Sequence, residues 1–429
     1  MSATDSVSIF AEGTFEEQIL ELAEYLARSR PEADRPTYIQ AVQDSLHTAE
    51  DQRPLSEDEG RRRDVFLSVF GEVKTLGEGS EREIEGFFNL LYAHLLALWP
   101  VASPDTQNRV ADLLAVVQAA PTDPAPKYRI LTNLFNALPR SSPLRLTVYR
   151  SLLDLASAND ELAVLRLSRL DAERWLQEWD ISPADKSAFL QTLVAVHAKA
   201  GQSELAYEYK LAHVRSLDKA TPEARAAALD AIATALDHPA IFDFDPLFTL
   251  DAVVAAKADP LFALLHVFLN GGLPELEAWH AAHAALLDTY GLAYPALEHK
   301  IRLLSLAALA FQNVGGALPY ATLASTLRVD VSAVEAWVID VIRAGLLVGK
   351  LSQSTETLHV MRATARTFER PQWALLEARL TAARASLGGV LEVVAGAKKK
   401  NTAVLAAVGA GPGEAAVVDK VVAQVEVAA

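Results

Sequence analysis

The sequence contains no cysteine, and aromatic residues make up only 7% of its 429 residues. Without cysteine there is no disulfide, no thiolate metal site and no cysteine nucleophile. Two long uncharged windows, residues 86–104 and 303–327, contain proline and polar side chains. They are interrupted too often for spans of about 20 apolar residues, so we expect buried helices and no membrane segment. The start, MSATDSVSIF, lacks a basic region before an apolar core, so we expect no secretory signal.

Positive charge is scarce, with 39 Lys and Arg against 55 Asp and Glu, a net charge of −16. Such a surface repels nucleic acids and anionic membranes as a whole. The first 80 residues are the most acidic part, with 17 acidic and 8 basic side chains. Arg61, Arg62 and Arg63 form a basic run there. We expect these arginines to face solvent and to pair with carboxylates, with an RNA contact as the alternative.

Motifs of catalysis and cofactor binding are missing. The sequence has no Walker phosphate loop, no G-x-S-x-G nucleophile elbow and no His-x-His pair. Glu277, His280 and His283 are spaced three apart, as ligands on one helix face would be, but solvated side chains are the favoured interpretation. We therefore expect no enzyme, no metal, no cofactor and no small-molecule substrate.

From about residue 81 to 238, helical apolar periodicity is broken by short proline-containing turns. Ser182-Pro183 and Thr221-Pro222 each combine a capping side chain with a first-turn proline, which predicts two helix starts. Helices joined by short turns indicate an α-solenoid, in which stacking neighbours bury each other's apolar faces. Trp175 and Trp179, four residues apart, are expected in the core between such helices.

The stretch from Tyr320 to Phe368 predicts a short helix, a turn, a second helix and a two-stranded wing, which together form a winged helix. Ser332 and Glu335 have the spacing of a capping box at the start of the second helix. Gly345 is placed to end that helix in a left-handed conformation. The runs LLVGKL and TLHV are rich in residues that favour strands.

The charge of the second helix decides between two uses of such a module. Glu335, Asp340 and Arg343 sum to −1, whereas a helix that enters a groove of phosphates carries clustered lysine and arginine. We therefore favour a role in protein assembly over nucleic-acid reading. Trp337 lies on the same helix, and its position leaves open whether it is core or an exposed contact.

After Pro371, apolar residues repeat at intervals of three and four. This seam consists of Trp373, Leu376, Leu380, Ala383, Leu387, Val390 and Val394. A heptad seam typically packs against a partner helix, and folding back onto its own domain is the alternative. Gly388 and Gly389 weaken the helix, so we expect the seam to end near Leu387.

The last residues, 395–429, are rich in Ala, Val and Gly, and we expect them to be flexible. A run of three lysines, Lys398, Lys399 and Lys400, is a candidate RNA contact. A solvated tail is the alternative that we favour.

Four segments, in the same order along the chain, resemble the M-subunit family of eukaryotic translation initiation factor three. They are RILTNLFNALPRSSPLRLTVYRSLLDLA, ERWLQEWDIS, IFDFDPLFTLDAV, and VEAWVIDVIRAGLLVGKLSQS followed by RTFERPQW. The match covers about residues 125–385 as whole segments. The first 80 residues and those after Leu387 do not resemble the family clearly.

The resemblance implies an all-α protein with a small β wing: an α-solenoid of helical repeats, a winged-helix module that completes a PCI domain, and a C-terminal helix. The expected divisions are an acidic N-terminal segment with helices, N-terminal helical repeats, the PCI domain with its winged helix, a bundle helix and the tail. Their bounds are 1–80, 81–204, 205–370 (winged helix 316–368), 371–394 and 395–429.

The same resemblance implies a cytoplasmic, non-catalytic scaffold subunit that assembles with other PCI and MPN subunits and with the small ribosomal subunit. A subunit of the COP9 signalosome or the proteasome lid is the alternative within the same fold. A nucleic-acid-binding winged helix is the alternative outside it. The candidate partner interface consists of Trp337, Leu351, Leu358, Val360, Trp373, Leu376, Leu380 and Leu387.

Overall fold

The structure, a computed structural model, describes residues 13–47, 54–55, 57–121, 123–218, 221–366 and 370–408. The described chain forms two compact units. One contains the residues up to Leu265 together with Trp279–Leu297. The other contains His266–Ala278 and the residues from Glu298 onwards.

The first unit is helical. Its helices, in chain order, are α1 (Phe15–Arg28), α2 (Arg35–Leu46), α3 (Glu59–Phe70), α4 (Glu81–Leu98), α5 (Pro104–Ala119), α6 (Pro124–Ala137), α7 (Leu144–Ala158), α8 (Leu162–Leu165), α9 (Arg169–Glu178), α10 (Pro183–Lys199), α11 (Ser203–Ser216), α12 (Pro222–Asp237), α13 (Asp245–Phe248) and α14 (Asp251–Ala255). Three further helices contribute residues to both units: α15 (Pro260–Asn270), α16 (Leu273–Tyr290) and α17 (Tyr294–Gln312).

The second unit contains the described strands. Its elements are β1 (Ala317–Pro319), α18 (Tyr320–Leu327), a 3₁₀ turn (Val331–Ala333), α19 (Val334–Arg343), β2 (Leu347–Ser352), β3 (Thr357–Ala363) and α20 (Arg370–Val408). The expected fold class, helical repeats followed by a small β wing and a C-terminal helix, is confirmed.

Packing in the first unit follows chain order. Helix α10 packs on α11, α11 on α12, and α6 on α7, so each helix covers the apolar face of a neighbour in sequence. Both predicted helix starts are confirmed. The Ser182 hydroxyl accepts a hydrogen bond from the Asp185 backbone N–H at 3.1 Å, and the Thr221 hydroxyl accepts one from Ala224 at 3.1 Å.

The acidic N-terminal segment contains α1, α2 and α3. Within it, the basic run ties helix ends together. The Arg61 guanidinium donates to the Ser45 carbonyl oxygen, 3.2 Å away, near the end of α2. The Arg63 guanidinium donates to the carbonyl oxygen of Leu98, 2.8 Å away at the end of α4, and also pairs with Glu59 at 3.4 Å. These arginines therefore satisfy backbone carbonyls that helices leave free.

A buried histidine makes the stability of the first unit depend on pH. The His94 ring lies against Phe15 and Phe66, with centroids 5.2 and 6.0 Å apart, and burial lowers its pKa from 6.5 to about 4. Since the unfolded chain binds the proton near pH 6.5 and the folded chain does not, stability falls as pH drops through this window. We expect a loss of about 2 kcal/mol between pH 7 and pH 5.

Urea unfolding of the full chain at pH 7, 6 and 5 measures this dependence. In a His94→Leu variant we expect the free energy of unfolding to fall by about 2 kcal/mol less between pH 7 and pH 5 than in the natural chain. An unchanged slope would show that His94 does not carry the effect.

Candidate assembly surface: the winged helix and the C-terminal helix

The wing is a three-stranded antiparallel sheet in the order β1-β3-β2. Leu358 in the central strand β3 stands opposite Leu318 of β1 and Leu351 of β2. The predicted hairpin is confirmed, and β1 adds a strand that the sequence did not indicate. Tyr320, the first residue of α18, donates its backbone N–H to the Glu356 carbonyl oxygen at 2.9 Å, which ties the helix start to the hairpin.

The predicted capping box at Ser332 is wrong. Ser332 lies inside the 3₁₀ turn, and the residue before α19 is Ala333, which makes no side-chain cap. The Glu335 carboxylate accepts a hydrogen bond, 3.2 Å long, from the hydroxyl of Tyr320, which lies fifteen positions earlier. A long-range partner therefore replaces the local one that the spacing predicted.

The predicted stop at Gly345 is confirmed. Its φ is +74°, and the Leu346 backbone N–H donates to the Val341 carbonyl oxygen at 3.2 Å. This six-to-one hydrogen bond is the mark of a helix end with a left-handed residue. It turns the chain from α19 into β2.

Replacing Gly345 and Gly388 with alanine is expected to have opposite effects on the stability of the helices that contain or precede them. Gly345→Ala forces a side chain into a left-handed backbone and costs about 1 kcal/mol. Gly388→Ala, inside α20 with nothing within 4 Å of the new Cβ, stabilises its helix by about 1 kcal/mol. In hydrogen-exchange measurements on the full chain, we expect amides of α19 to exchange about fivefold faster in Gly345→Ala. Amides around residue 388 should exchange about fivefold slower in Gly388→Ala. A change of the same sign at both sites would contradict this account.

Trp337 on α19 is half-buried against α17. Its ring centroid lies 4.9 Å from that of His299 and 5.4 Å from the Arg302 guanidinium. Asp340 on the same helix lies 3.8 Å from Arg343 and 3.9 Å from His299. The helix thus carries no cationic cluster that would track a phosphate backbone.

The wing residues of the predicted interface do not form an exposed group. Leu358 and Val360 are 0% and 2% exposed, and Leu351 is half-buried. They hold the sheet against its helices because alternate side chains of β3 face inward. The exposed part of the predicted interface therefore lies on α20.

Arg366, just before α20, is a structural residue that sequence reasoning missed. Its guanidinium donates to the carbonyl oxygens of Phe268, Gly271 and Val267 at 2.5, 2.6 and 3.0 Å. These carbonyls lie at the end of α15, where a helix leaves acceptors free, although that of Val267 also accepts the Gly271 backbone N–H at 2.8 Å. Burial lowers the pKa of Arg366 to about 10, partly opposed by Glu275. The chain is thereby fixed to its unit immediately before the last helix.

Helix α20 has 39 residues and is about 58 Å long. Near its start, the Arg379 guanidinium donates to the Phe311 carbonyl oxygen of α17 at 3.1 Å. The seam next to this contact faces outward: Trp373, Leu380 and Leu387 are 61%, 61% and 64% exposed. We infer that the exposed leucines of the seam, Leu380 and Leu387, can meet another surface.

The helix also continues beyond its expected end. It runs through Gly388 and Gly389 and through the three lysines to Val408, past the predicted end at residue 394. Alanine and lysine are strong helix formers, and their number outweighs the cost of the glycines. Lys399 and Lys400 are exposed on this helix, and the later part of the predicted tail, residues 409–429, lies outside the described residues.

One stretch, Gln372–Lys400, is long and apolar enough to cross a membrane by length and composition alone. It lies outside the two uncharged windows, residues 86–104 and 303–327. It is the same exposed stretch that carries the seam. Such a surface without a covering layer marks an interaction site.

The described residues hold no group of three or more His, Asp or Glu side chains placed to bind a metal ion. Glu277 instead forms an ion pair with Arg328 at 2.9 Å. The helix α16 is also kinked at His283, where φ is −136°, so the regular spacing assumed for Glu277, His280 and His283 does not hold.

Both parts of this surface, the winged helix and α20, match known protein families. Residues 280–362 match the family model of the PCI domain, and residues 366–394 match "eIF3 subunit M, C-terminal helix". Eukaryotic translation initiation factor 3 subunit M of Aspergillus terreus is 35% identical over 406 residues, covering 91% of this chain and 87% of the relative. This chain belongs to the eukaryotic translation initiation factor 3 subunit M family. The Phaeosphaeria nodorum and Aspergillus oryzae relatives of that name are 32% and 33% identical, covering 92% and 91% of this chain and 89% and 86% of their own.

Membership of the subunit M family assigns the surface to a translation initiation factor subunit that carries a PCI domain. The C-terminal helix match begins at Arg366 and ends at Val394. It therefore includes the arginine that fixes the chain before α20 and the whole apolar seam. The resemblance noted in the sequence is confirmed, but its expected limits were too narrow, since the match covers 91% of the chain and continues past Leu387 to Val394.

Proposed function

We propose that this protein is a non-catalytic scaffold subunit of the initiation factor 3 complex, and that α20 is the element by which it joins its neighbours. One observation carries the proposal. The helix is fixed to its own unit near its start by Arg379, while the side chains of its apolar seam are exposed. An exposed apolar seam of this length gains free energy when a partner helix covers it.

The proposed mechanism is architectural. Helical repeats form a firm support, since each helix is covered by its neighbours. The winged helix docks on a neighbouring PCI subunit, and the seam enters a bundle with helices of other PCI and MPN subunits. Trp373, Leu376, Leu380 and Leu387 are the proposed contacts of α20, and Trp337 is the proposed contact on the winged helix.

A subunit that supports initiation on the small ribosomal subunit works in the cytoplasm. Two exposed lysines on α20, Lys399 and Lys400, together with Lys398, are a proposed minor contact with ribosomal RNA. The acidic surface as a whole opposes broader RNA binding.

Depletion of the protein from its own cells tests the role in initiation. We expect polysomes to decrease and free ribosomal subunits to increase on a sucrose gradient, and both to recover when the full chain is restored. A chain that ends after residue 368 is expected to fail in this rescue. Polysomes that stay unchanged after depletion would contradict a role in initiation.

A further inference from the structure

A cavity of about 700 Å³ lies in the first unit, among α6, α7, α8 and α9. Its size is that of sites that hold a peptide segment or a small molecule. One wall is aromatic. The Trp175 ring lies 5.3 Å from that of Phe135 and 4.9 Å from that of Tyr149, centroid to centroid. Trp175 is half-buried, so part of its side chain remains accessible.

A buried cation lines the same cavity. Arg145 is 6% exposed, its guanidinium lies 4.7 Å from the Phe135 ring centroid, and its Nε donates to the Leu138 carbonyl oxygen at 3.0 Å. Within the described chain its two terminal amino groups donate no hydrogen bond, and no carboxylate lies within ion-pair distance, although the charge of Glu178 acts on the guanidinium from farther away. Buried guanidinium groups are usually paired, because desolvation of an unpaired charge is costly.

The rim adds a second cation without a partner. Arg166 is exposed, has a left-handed backbone with φ of +47°, and makes no ion pair within the described residues. Two other arginines of the cavity are already neutralised, since Arg129 pairs with Glu81 at 3.1 Å and Arg174 with Asp171 at 2.7 Å.

We propose that this cavity binds a peptide segment of a partner protein that presents a carboxylate beside an aromatic or aliphatic side chain. The planar Arg145 fork matches a carboxylate with two parallel hydrogen bonds. The aromatic wall takes the neighbouring apolar side chain. The carboxylate comes from an Asp or Glu side chain or from a chain terminus, which share this chemistry.

The acidic residues of the cavity argue against a polyphosphate. Four carboxylates line it alongside the arginines: Asp123, Glu161, Asp171 and Glu178. They repel a ligand with several negative charges, whereas a ligand with one carboxylate is matched by Arg145, with Arg166 at the rim. The site lies in the helical repeats and does not depend on the role proposed for α20.

Three biotinylated hexapeptide pools with randomised flanks test the proposal against the full chain. The first contains Phe beside Glu and an amidated end. The second replaces Glu by Gln, and the third has Gln and Phe at a free carboxyl end. We expect the first or third pool to bind at least tenfold more tightly than the second, and the difference between them to identify the source of the carboxylate.

Substitutions in the cavity test whether it is the source of the preference for carboxylate-containing peptides. Arg145→Met is expected to remove this preference. Val164→Glu is expected to remove the carboxylate preference as well, since this residue lines the cavity, and its 49% exposure leads us to expect an intact fold. Arg109→Met is the matched control, because this guanidinium also lies over an aromatic ring, 4.3 Å from the Trp99 centroid, but not in the cavity.

Three results would overturn the proposal. They are equal binding of all three pools, no binding of any pool at about 1 mM, and a carboxylate preference that persists in Val164→Glu or in folded Arg145→Met.

Discussion

Replacing Leu380 and Leu387 with glutamate is expected to release the protein from its complex. Both side chains are more than half exposed in the isolated chain, so the substitutions leave its own fold intact. In the assembled state each substitution removes about 1.5 kcal/mol or more of favourable apolar burial. It also places a glutamate carboxylate where it would be desolvated. The pair therefore costs about 3 kcal/mol or more, which is about a hundredfold in affinity.

Gradient sedimentation of tagged protein from cell extract measures the release. We expect the natural chain in large complexes and the double variant near the top of the gradient. Ala378→Glu with Ala385→Glu is the matched control, since it adds the same charges at the same spacing on the opposite side of α20. If both double variants sediment alike, the seam is not the contact.

Replacing Arg366 with alanine is expected to destabilise the second unit by about 3 kcal/mol. The substitution removes the donor that the carbonyls of Val267, Phe268 and Gly271 share, and of these three Val267 keeps its hydrogen bond from the Gly271 backbone N–H. These are hydrogen bonds from a charged group, which contribute more than neutral ones. The cost is large because three acceptors lose one shared donor.

Hydrogen exchange measured by mass spectrometry on the full chain resolves this loss by segment. We expect amides of residues 266–278 and 298–363 to exchange about a hundredfold faster, with the first unit little changed. Arg379→Ala is the comparison, since that guanidinium makes a single hydrogen bond to Phe311. It should cost about 1 kcal/mol or less. An equal effect of the two substitutions would contradict the anchoring role of Arg366.

The features that sequence predicted are those set by local spacing. Gly345 ends α19 because the left-handed residue and its hydrogen bonds lie within six positions. Ser182 and Thr221 start helices for the same reason. The period of the α20 seam likewise appears in seven residues of one helix. Such signals need no knowledge of the tertiary fold.

The features that sequence missed depend on distant partners. Arg366 satisfies carbonyls about a hundred positions earlier, and Glu335 bonds with Tyr320 instead of capping its own helix. The strand β1 exists because its three residues pair with β3, forty positions later. Arg145 gives no signal in the sequence either, since its unusual state comes from burial beside a cavity.

Affinity purification of the full chain from its own cells, with mass spectrometry of the proteins that accompany it, tests the central claim most directly. We predict recovery of the other initiation factor 3 subunits together with the small ribosomal subunit. Recovery of signalosome or proteasome-lid subunits, or of no large assembly, would contradict the proposed role.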